Sequence, residues 1–307
     1  MKARNARLEA QEVVGAGLDP RVLEPSPPAV TDPPWYADDP VAGGDVDWNE
    51  WVRDHPERAG WAADRWLAAF RPLALAPPAL VETRLALHRL AVYVISPARQ
   101  RAANGKMALR WTRAGFGTPF FGQDEQVRVT GTTLVRQQGS RASSMPITSL
   151  NEAAAFVLDG PPERDWAKKF DVPAVGDLDE KLPVDADAAQ FLGDWYGFSW
   201  SVLEALRAEP ASLDPSRVQL WPEHFDAAFD CLPEDRRATF GISPGDASVP
   251  EPYLYVISSR VEAVPSELWN ATTFRGAILR LGELIGVTDQ RARALEFLRA
   301  RRDLLAS

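Results

Sequence analysis

Residues 217–257 read RVQLWPEHFDAAFDCLPEDRRATFGISPGDASVPEPYLYVI. Four runs within this stretch have the apolar and β-branched character of strands, at 217–220, 224–231, 237–242 and 253–258. Segments rich in Pro, Gly, Asp and Glu separate the runs, and such residues favour turns and loops. The stretch therefore predicts an antiparallel meander. It also contains the last histidine of the chain, its single cysteine and several acidic residues.

The composition predicts a folded protein with about two domains. The chain has 307 residues, of which 45% are hydrophobic and 25% charged, and a domain typically takes roughly 150 residues. The formal net charge is −9. Nucleic acids and anionic membranes bind positively charged surfaces, so we expect neither as a partner.

A single cysteine, Cys231, excludes an intramolecular disulfide and a metal site made of several cysteines. The chain starts without the charged and apolar segments of a secretory leader. It also has no apolar run near the ~18 residues that a membrane span needs. We therefore expect a soluble, cytoplasmic protein.

The order of patterns predicts an α+β fold with two similar units. Residues 1–46 are acidic and rich in proline, which indicates an extended arm. A first α+β unit follows at 47–160, then a linker at 161–185 and a second unit at 186–307. Each unit has the order helix, antiparallel meander, helix. The pattern leaves open whether both units share one sheet.

The first unit combines an ambiguous helix with short strands. Residues 80–95 fit both a strand and a helix, and their length favours a helix that ends before Pro97. The remaining elements of this unit are predicted as strands at 107–112, 116–121, 126–130 and 132–137, an edge strand at 146–148, and a helix at 151–158.

The second unit begins and ends with a helix. Residues 187–209 carry a broad apolar face and predict the first helix, and residues 288–305 predict the last one. Between them, after the four strand-like runs, residues 273–285 fit either a strand or a helix.

Three phrases in the second unit support a resemblance. They are LWPEHFD at 220–226, SPGD at 243–246 and PEPY at 250–253. With these phrases the chain resembles a group of proteins from actinobacteria and other bacteria, and more distantly a broader bacterial family defined by a domain of unknown function. The similarity covers most of residues 47–305. It implies the order helix, strands, helix, strands, and it transfers no activity and no catalytic residue.

His224 and Asp226 are the main candidates for chemistry. Residues two apart in a strand share a face, so the two side chains would point the same way and Glu223 would point oppositely. A histidine and a carboxylate on one face can bind a divalent metal or form a general base. Asp246 and Glu251 lie on a loop that could fold back on them. In the alternative, His224 only bonds a carboxylate and ties down a loop.

Aromatic residues are the candidates for binding. Trp221 and Trp269 lie near predicted strands or turns and, with Asp246, could line a binding surface. The segment 115–122 contains three glycines but lacks both glycine fingerprints of phosphate loops. It is therefore interpreted as a hairpin corner, at which Phe120 and Phe121 could line an apolar pocket.

Two functions remain open. The favoured one is a non-catalytic protein that binds a small molecule or a partner segment in an aromatic groove. The alternative is a metal-assisted hydrolase in which His224 and Asp226 are ligands or base and Asp246, Glu251 or Arg275 completes the site. The sequence names no cofactor. Convergence of His224, Asp226 and a third acid on a water-accessible cavity would favour the enzyme.

Overall fold

The computed structural model describes residues 11–14, 53, 56–58, 71–102, 106–112, 114–119, 121, 125–138, 141–262 and 267–307. Most of the predicted arm at 1–46 lies outside these residues, as does Phe120.

The described strands form two sheets in which every neighbouring pair is antiparallel. The first sheet has the order β1-β6-β5-β4-β3-β2 and the second the order β11-β10-β9-β8-β7. The first sheet contains β1 (Gln11–Val14), β2 (Arg110–Thr112), β3 (Gly115–Gly117), β4 (Glu125–Thr130), β5 (Thr133–Gln138) and β6 (Arg141–Pro146). The second contains β7 (Gln219–Trp221), β8 (Asp226–Cys231), β9 (Ala238–Ser243), β10 (Tyr253–Ser258) and β11 (Gly276–Arg280).

Helices precede and follow each meander. The helices are α1 (Leu80–Leu90), α2 (Ser96–Ala102), α3 (Leu150–Leu158), α4 (Ala186–Arg207) and α5 (Gln290–Ala306). The strands β2 to β6 and β7 to β11 are thus two five-stranded meanders, each with helices before and after it. This order confirms the predicted α+β fold with two similar units.

One pair of residues joins the two sheets. The backbone N–H of Leu109 donates to the carbonyl oxygen of Leu220 at 2.7 Å, and the N–H of Leu220 donates to that of Leu109 at 2.9 Å. Leu109 immediately precedes β2, and Leu220 lies in β7. The first strands of the two meanders therefore meet edge to edge at an antiparallel bridge.

Helix α4 connects the two units through the core. It contacts β2 and β3 of the first sheet and β8 and β9 of the second. Its first turn is capped by Asp185, whose carboxylate accepts a hydrogen bond from the N–H of Ala188 at 2.9 Å. Trp195 and Phe198 from this helix are fully buried in the main core.

The helix predicted at 80–95 is confirmed, but its predicted end before Pro97 is wrong. A π-helical segment, Ala91–Ile95, links α1 to α2, and Pro97 lies within α2. Pro97 has no N–H to offer the carbonyl of Tyr93, four residues earlier. That carbonyl instead accepts a hydrogen bond from the N–H of Glu163 at 2.9 Å. The π-helical segment thus lets the helix continue past the proline.

Other boundaries differ from the predicted ones. The edge strand predicted at 146–148 is instead β6, which ends at Pro146. The ambiguous residues 273–285 contain strand β11 and a 3₁₀ turn, Leu281–Glu283. Residues 161–185, predicted as a linker, pack on the π-helical segment, since the hydroxyl of Tyr93 donates to the carbonyl of Pro173 at 2.6 Å.

Gly193 tests the contact between α4 and the first sheet. A Cβ atom there would lie 2.5 Å from the carbonyl carbon of Ala114 and 2.7 Å from the nitrogen of Gly115. Alanine normally stabilises a helix by ~1 kcal/mol relative to glycine, but this backbone contact cannot yield easily. We expect Gly193→Ala to lower the free energy of unfolding by ~1–3 kcal/mol in urea titrations.

Gly160→Ala is the matched control, because the nearest atom to its added Cβ would be 3.8 Å away. A Gly193→Ala protein as stable as wild type would show that α4 can move away from the β2–β3 turn without cost.

Candidate functional site

The second sheet has one core face and one outer face. Ala227 and Phe229 of β8 are buried in the main core. Successive side chains of a strand point to opposite faces, so Asp226 and Ala228 lie on the other side. Ala228 belongs to a separate small cluster that also includes Tyr253 and Tyr255 of β10.

A cavity of about 560 Å³ lies on this outer face. Its aromatic lining comes from two strands and the segment before β11: Trp221 of β7, Tyr253 and Tyr255 of β10, and Phe274. Its acidic lining consists of Glu223, Asp226, Asp230 and Asp246. His224 also lines the cavity. The cavity therefore combines apolar walls with a concentration of carboxylates.

Gly241 makes room for the ring of Tyr255 on the outer face. Ala228, Gly241 and Tyr255 lie opposite one another on β8, β9 and β10. A Cβ atom on Gly241 would lie 2.3 Å from Cζ of Tyr255, so the phenol ring crosses the sheet directly over this glycine. This position brings the Tyr255 hydroxyl to Asp226, to which it donates a hydrogen bond.

The turn between β7 and β8 is held by Phe225, which has a left-handed backbone with φ of 57°. Its N–H donates to the carbonyl of Trp221 at 2.7 Å, and its carbonyl accepts from the hydroxyl of Tyr196 at 2.7 Å. Its ring stacks on His88 with 5.0 Å between ring centroids. These contacts fix where β8 begins.

The predicted strand at 224–231 is therefore wrong at its start. The strand begins at Asp226, and His224 is an exposed residue of the preceding turn. His224 and Asp226 do line one cavity, but the turn rather than strand alternation brings them there. Glu223, expected on the opposite side, lines the same cavity.

Asp226 is the most perturbed acid of the cavity. Its exposed fraction is 9%. The pKa of its carboxyl is raised to about 6, chiefly by burial and to a smaller extent by the nearby Glu223, while the Tyr255 hydrogen bond and His224 oppose the rise. One carboxylate oxygen, Oδ2, accepts the bond from Tyr255. The other, Oδ1, has no hydrogen-bond partner within the described part of the chain.

Asp246 has a mainly structural role beside the cavity. Its Oδ1 accepts hydrogen bonds from the N–H groups of Ser248 at 2.6 Å and Val249 at 2.8 Å, and its Oδ2 accepts from the hydroxyl of Tyr253 at 2.5 Å. Arg84 of α1 secures the same loop by donating to the carbonyls that flank it. These contacts hold the loop against α1, and Asp246 lines the cavity together with His224 and Asp226.

Other candidates lie elsewhere. Glu251 pairs with Arg280 at 3.4 Å, and Arg275 pairs with Glu262 at 3.1 Å. Neither Glu251 nor Arg275 is among the described residues that line the cavity.

The two remaining aromatic candidates are also away from the cavity. Trp269 is half-buried against the main core. Phe121 is buried, and its backbone pairs with Glu125. Of the aromatic candidates that the structure describes, Trp221 alone lines the cavity. Phe120 lies outside the described residues.

Tyr253, Tyr255, Phe274 and Asp230 were missed by the sequence reasoning. A usable signal existed for the tyrosines, because residues 253 and 255 alternate with Leu254 and Val256 and must share a face of the strand. No comparable pattern marks Phe274, which reaches the cavity from the segment before β11.

His88 is a hydrogen-bonded helix residue, as its surroundings indicate. Its Nε2 lies 2.9 Å from the carbonyl oxygen of Pro222. Burial lowers the pKa of His88 to about 4. The neutral ring therefore packs on Phe225 and supports the turn near neutral pH.

Within the described residues, no group of three or more His, Cys, Asp or Glu side chains is placed to hold a metal ion. The same part of the chain has no helix with the length and apolar character needed to cross a membrane.

No family model, no curated protein and no solved structure matches the chain. The resemblance to the bacterial group thus stays a prediction, and the properties of the cavity are the basis for a functional proposal.

Asp226→Asn tests the burial of the Asp226 charge. The pKa of this carboxyl is about 6 in the folded state and about 3.9 in an unfolded chain. Protonation of this carboxyl therefore stabilises the folded state. This contribution to the free energy of unfolding is complete below pH ~4 and is lost as the pH rises through 6. We expect the variant to be more stable than wild type by roughly 2–3 kcal/mol near pH 8, with a smaller difference near pH 4.

Urea titrations across this pH range measure the difference. Glu234→Gln, at an exposed acid in the turn after β8, controls for the loss of one negative charge. Parallel stability profiles for wild type and Asp226→Asn would contradict the raised pKa.

Proposed function

We propose that the protein binds a small molecule in the cavity on the outer face of the second sheet. The observation that carries this proposal is the combination of aromatic side chains, the small residue Ala228 and several polar groups around a cavity of about 560 Å³. Ligand sites are typically concave and largely apolar, with a few polar groups that fix orientation. Trp221 and Phe274 are half-buried and supply apolar surface at the rim.

A second cavity of about 530 Å³ is a weaker basis for ligand binding. It lies at the start of α3, where its lining includes Ser149, Asn151, Glu152 and Lys181. No aromatic side chain is among its described lining residues. Aromatic rings provide large, rigid contact surfaces, so the outer-face cavity is the better candidate.

A metal-assisted hydrolase remains the alternative hypothesis. Its expected residues meet in part, because His224, Asp226 and Asp246 line one cavity. However, Asp246 is already engaged in hydrogen bonds to its own loop and to Tyr253, and no three-ligand group is placed for a metal among the described residues. Binding is therefore the proposed function.

The net charge of −9 and the acidic lining support a small-molecule ligand rather than nucleic acid. The single cysteine is buried, and we place the protein in the cytoplasm as part of the same proposal.

Ala228→Leu tests the proposed binding. Ala228 forms part of the cavity floor, so a larger side chain there would occupy the space of a ligand. We expect fragment-sized aromatic compounds, detected by ligand-observed NMR, to bind wild type and to lose at least tenfold in affinity with Ala228→Leu.

Ala155→Leu is the matched control, since Ala155 lines the second cavity. Fragments that bind Ala228→Leu as tightly as wild type, or that lose affinity only with Ala155→Leu, would contradict the assignment. Thermal unfolding of both variants checks that each is folded.

A further inference from the structure

The described lining of the outer-face cavity is rich in acidic side chains. Four acids line it, while Lys and Arg are absent from its described lining. Two of the acids have partners that satisfy them. Asp230 accepts a hydrogen bond from the hydroxyl of Thr239 at 2.6 Å, and Asp246 accepts three bonds and is attracted to Arg84 on α1.

The other two acids are less well satisfied. Oδ1 of Asp226 and Oε2 of Glu223 are buried atoms without a hydrogen bond to any described residue. A buried polar atom without a partner costs free energy, and a charged one costs more. A ligand that supplies both positive charge and hydrogen-bond donors would satisfy these oxygens. His224 also belongs to the described lining, and it is exposed.

Aromatic rings surround the same space. Tyr255 and Phe274 meet edge to face with 6.4 Å between ring centroids, and Tyr253 lies 6.2 Å from Tyr255. The face of an aromatic ring attracts a cation. Trp221 of β7, which pairs directly with Asp226 of β8, adds the most favourable ring type for this interaction. The aromatic rings and the carboxylates therefore both favour a positively charged ligand.

We propose that the ligand is a primary amine in its protonated form, attached to an apolar or aromatic body, and that Asp226 is its counter-ion. The ammonium group donates one hydrogen bond to the carboxylate of Asp226 and a second to that of Glu223, while the aromatic lining contacts the body. This inference rests on the proposed function and specifies its ligand class. A quaternary ammonium ion has the charge but no donor, so it satisfies the aromatic rings and leaves both oxygens unpaired.

Three related compounds separate charge from hydrogen bonding. Benzylamine carries charge and donors, benzyltrimethylammonium carries charge alone, and benzyl alcohol is neutral. Isothermal titration of the full chain at about pH 8 keeps the amine protonated and Asp226 ionised. We expect benzylamine to bind at least tenfold more tightly than either of the other compounds.

Variants connect the preference to the named residues. Asp226→Asn should abolish most of the preference for benzylamine over benzyl alcohol, and Glu223→Gln should reduce it. Glu234→Gln, which removes an exposed acid outside the cavity, should leave it unchanged. Glu223→Gln also keeps the test decisive if Asp226→Asn fails to fold.

Each contrary result has a separate meaning. Equal binding of benzylamine and benzyl alcohol would overturn the amine inference and leave the cavity as a binding site. Tighter binding of the quaternary ion would overturn the hydrogen bond to Asp226. If none of the three binds while other fragments bind in a manner sensitive to Ala228→Leu, the inference fails and the proposed function stands. If no fragment binds at all, both fail.

Discussion

The left-handed backbone of Phe225 is the constraint on which the candidate site depends. A bulky residue in this conformation costs roughly 1–2 kcal/mol, and the surrounding contacts offset that cost. Tyr196 donates to its carbonyl, and His88 stacks on its ring. Tyr196 belongs to α4, which contacts both sheets. The turn that presents His224 and starts β8 at Asp226 is therefore held by the same helix that organises the core.

The burial of Asp226 reduces stability at neutral pH. An asparagine would fill the same volume and would avoid the desolvation of a charge, yet the position holds an acid with one buried oxygen unpaired among described residues. Such a local conflict with stability is typical of functional positions. It distinguishes Asp226 from Asp246, whose hydrogen bonds to Ser248, Val249 and Tyr253 account for its presence structurally.

Sequence patterns predicted the elements better than the contacts between them. The strand at 253–258 was predicted with its observed bounds, because apolar and aromatic residues alternate along it. The site was predicted around His224 and Asp226 from an incorrect strand start, since periodicity does not show a residue with positive φ. The contact of Tyr255 with Gly241 depends on strand register, and register across a long loop cannot be read from either strand alone.

The two meanders share an order of elements but differ in what lies on their outer faces. In the first sheet, Val127 and Val129 of β4 are in the core, so Arg128 points to the opposite face. It is buried there, and it donates to the amide oxygens of Gln126 and Gln137 at 2.9 and 2.8 Å. On that face, these three side chains therefore bond to one another. The third strand of the second meander has Gly241 on its outer face instead, and the ring of Tyr255 crosses over it. The cavity that this ring lines is also lined by Asp226 and Glu223, each of which has one oxygen without a hydrogen-bond partner among the described residues. Polar side chains that satisfy one another's hydrogen bonds stabilise a sheet. Polar groups that lack partners beside a cavity can instead bond to a ligand. The repeated order of elements thus supplies two sheets, and the candidate site lies on the outer face of the second.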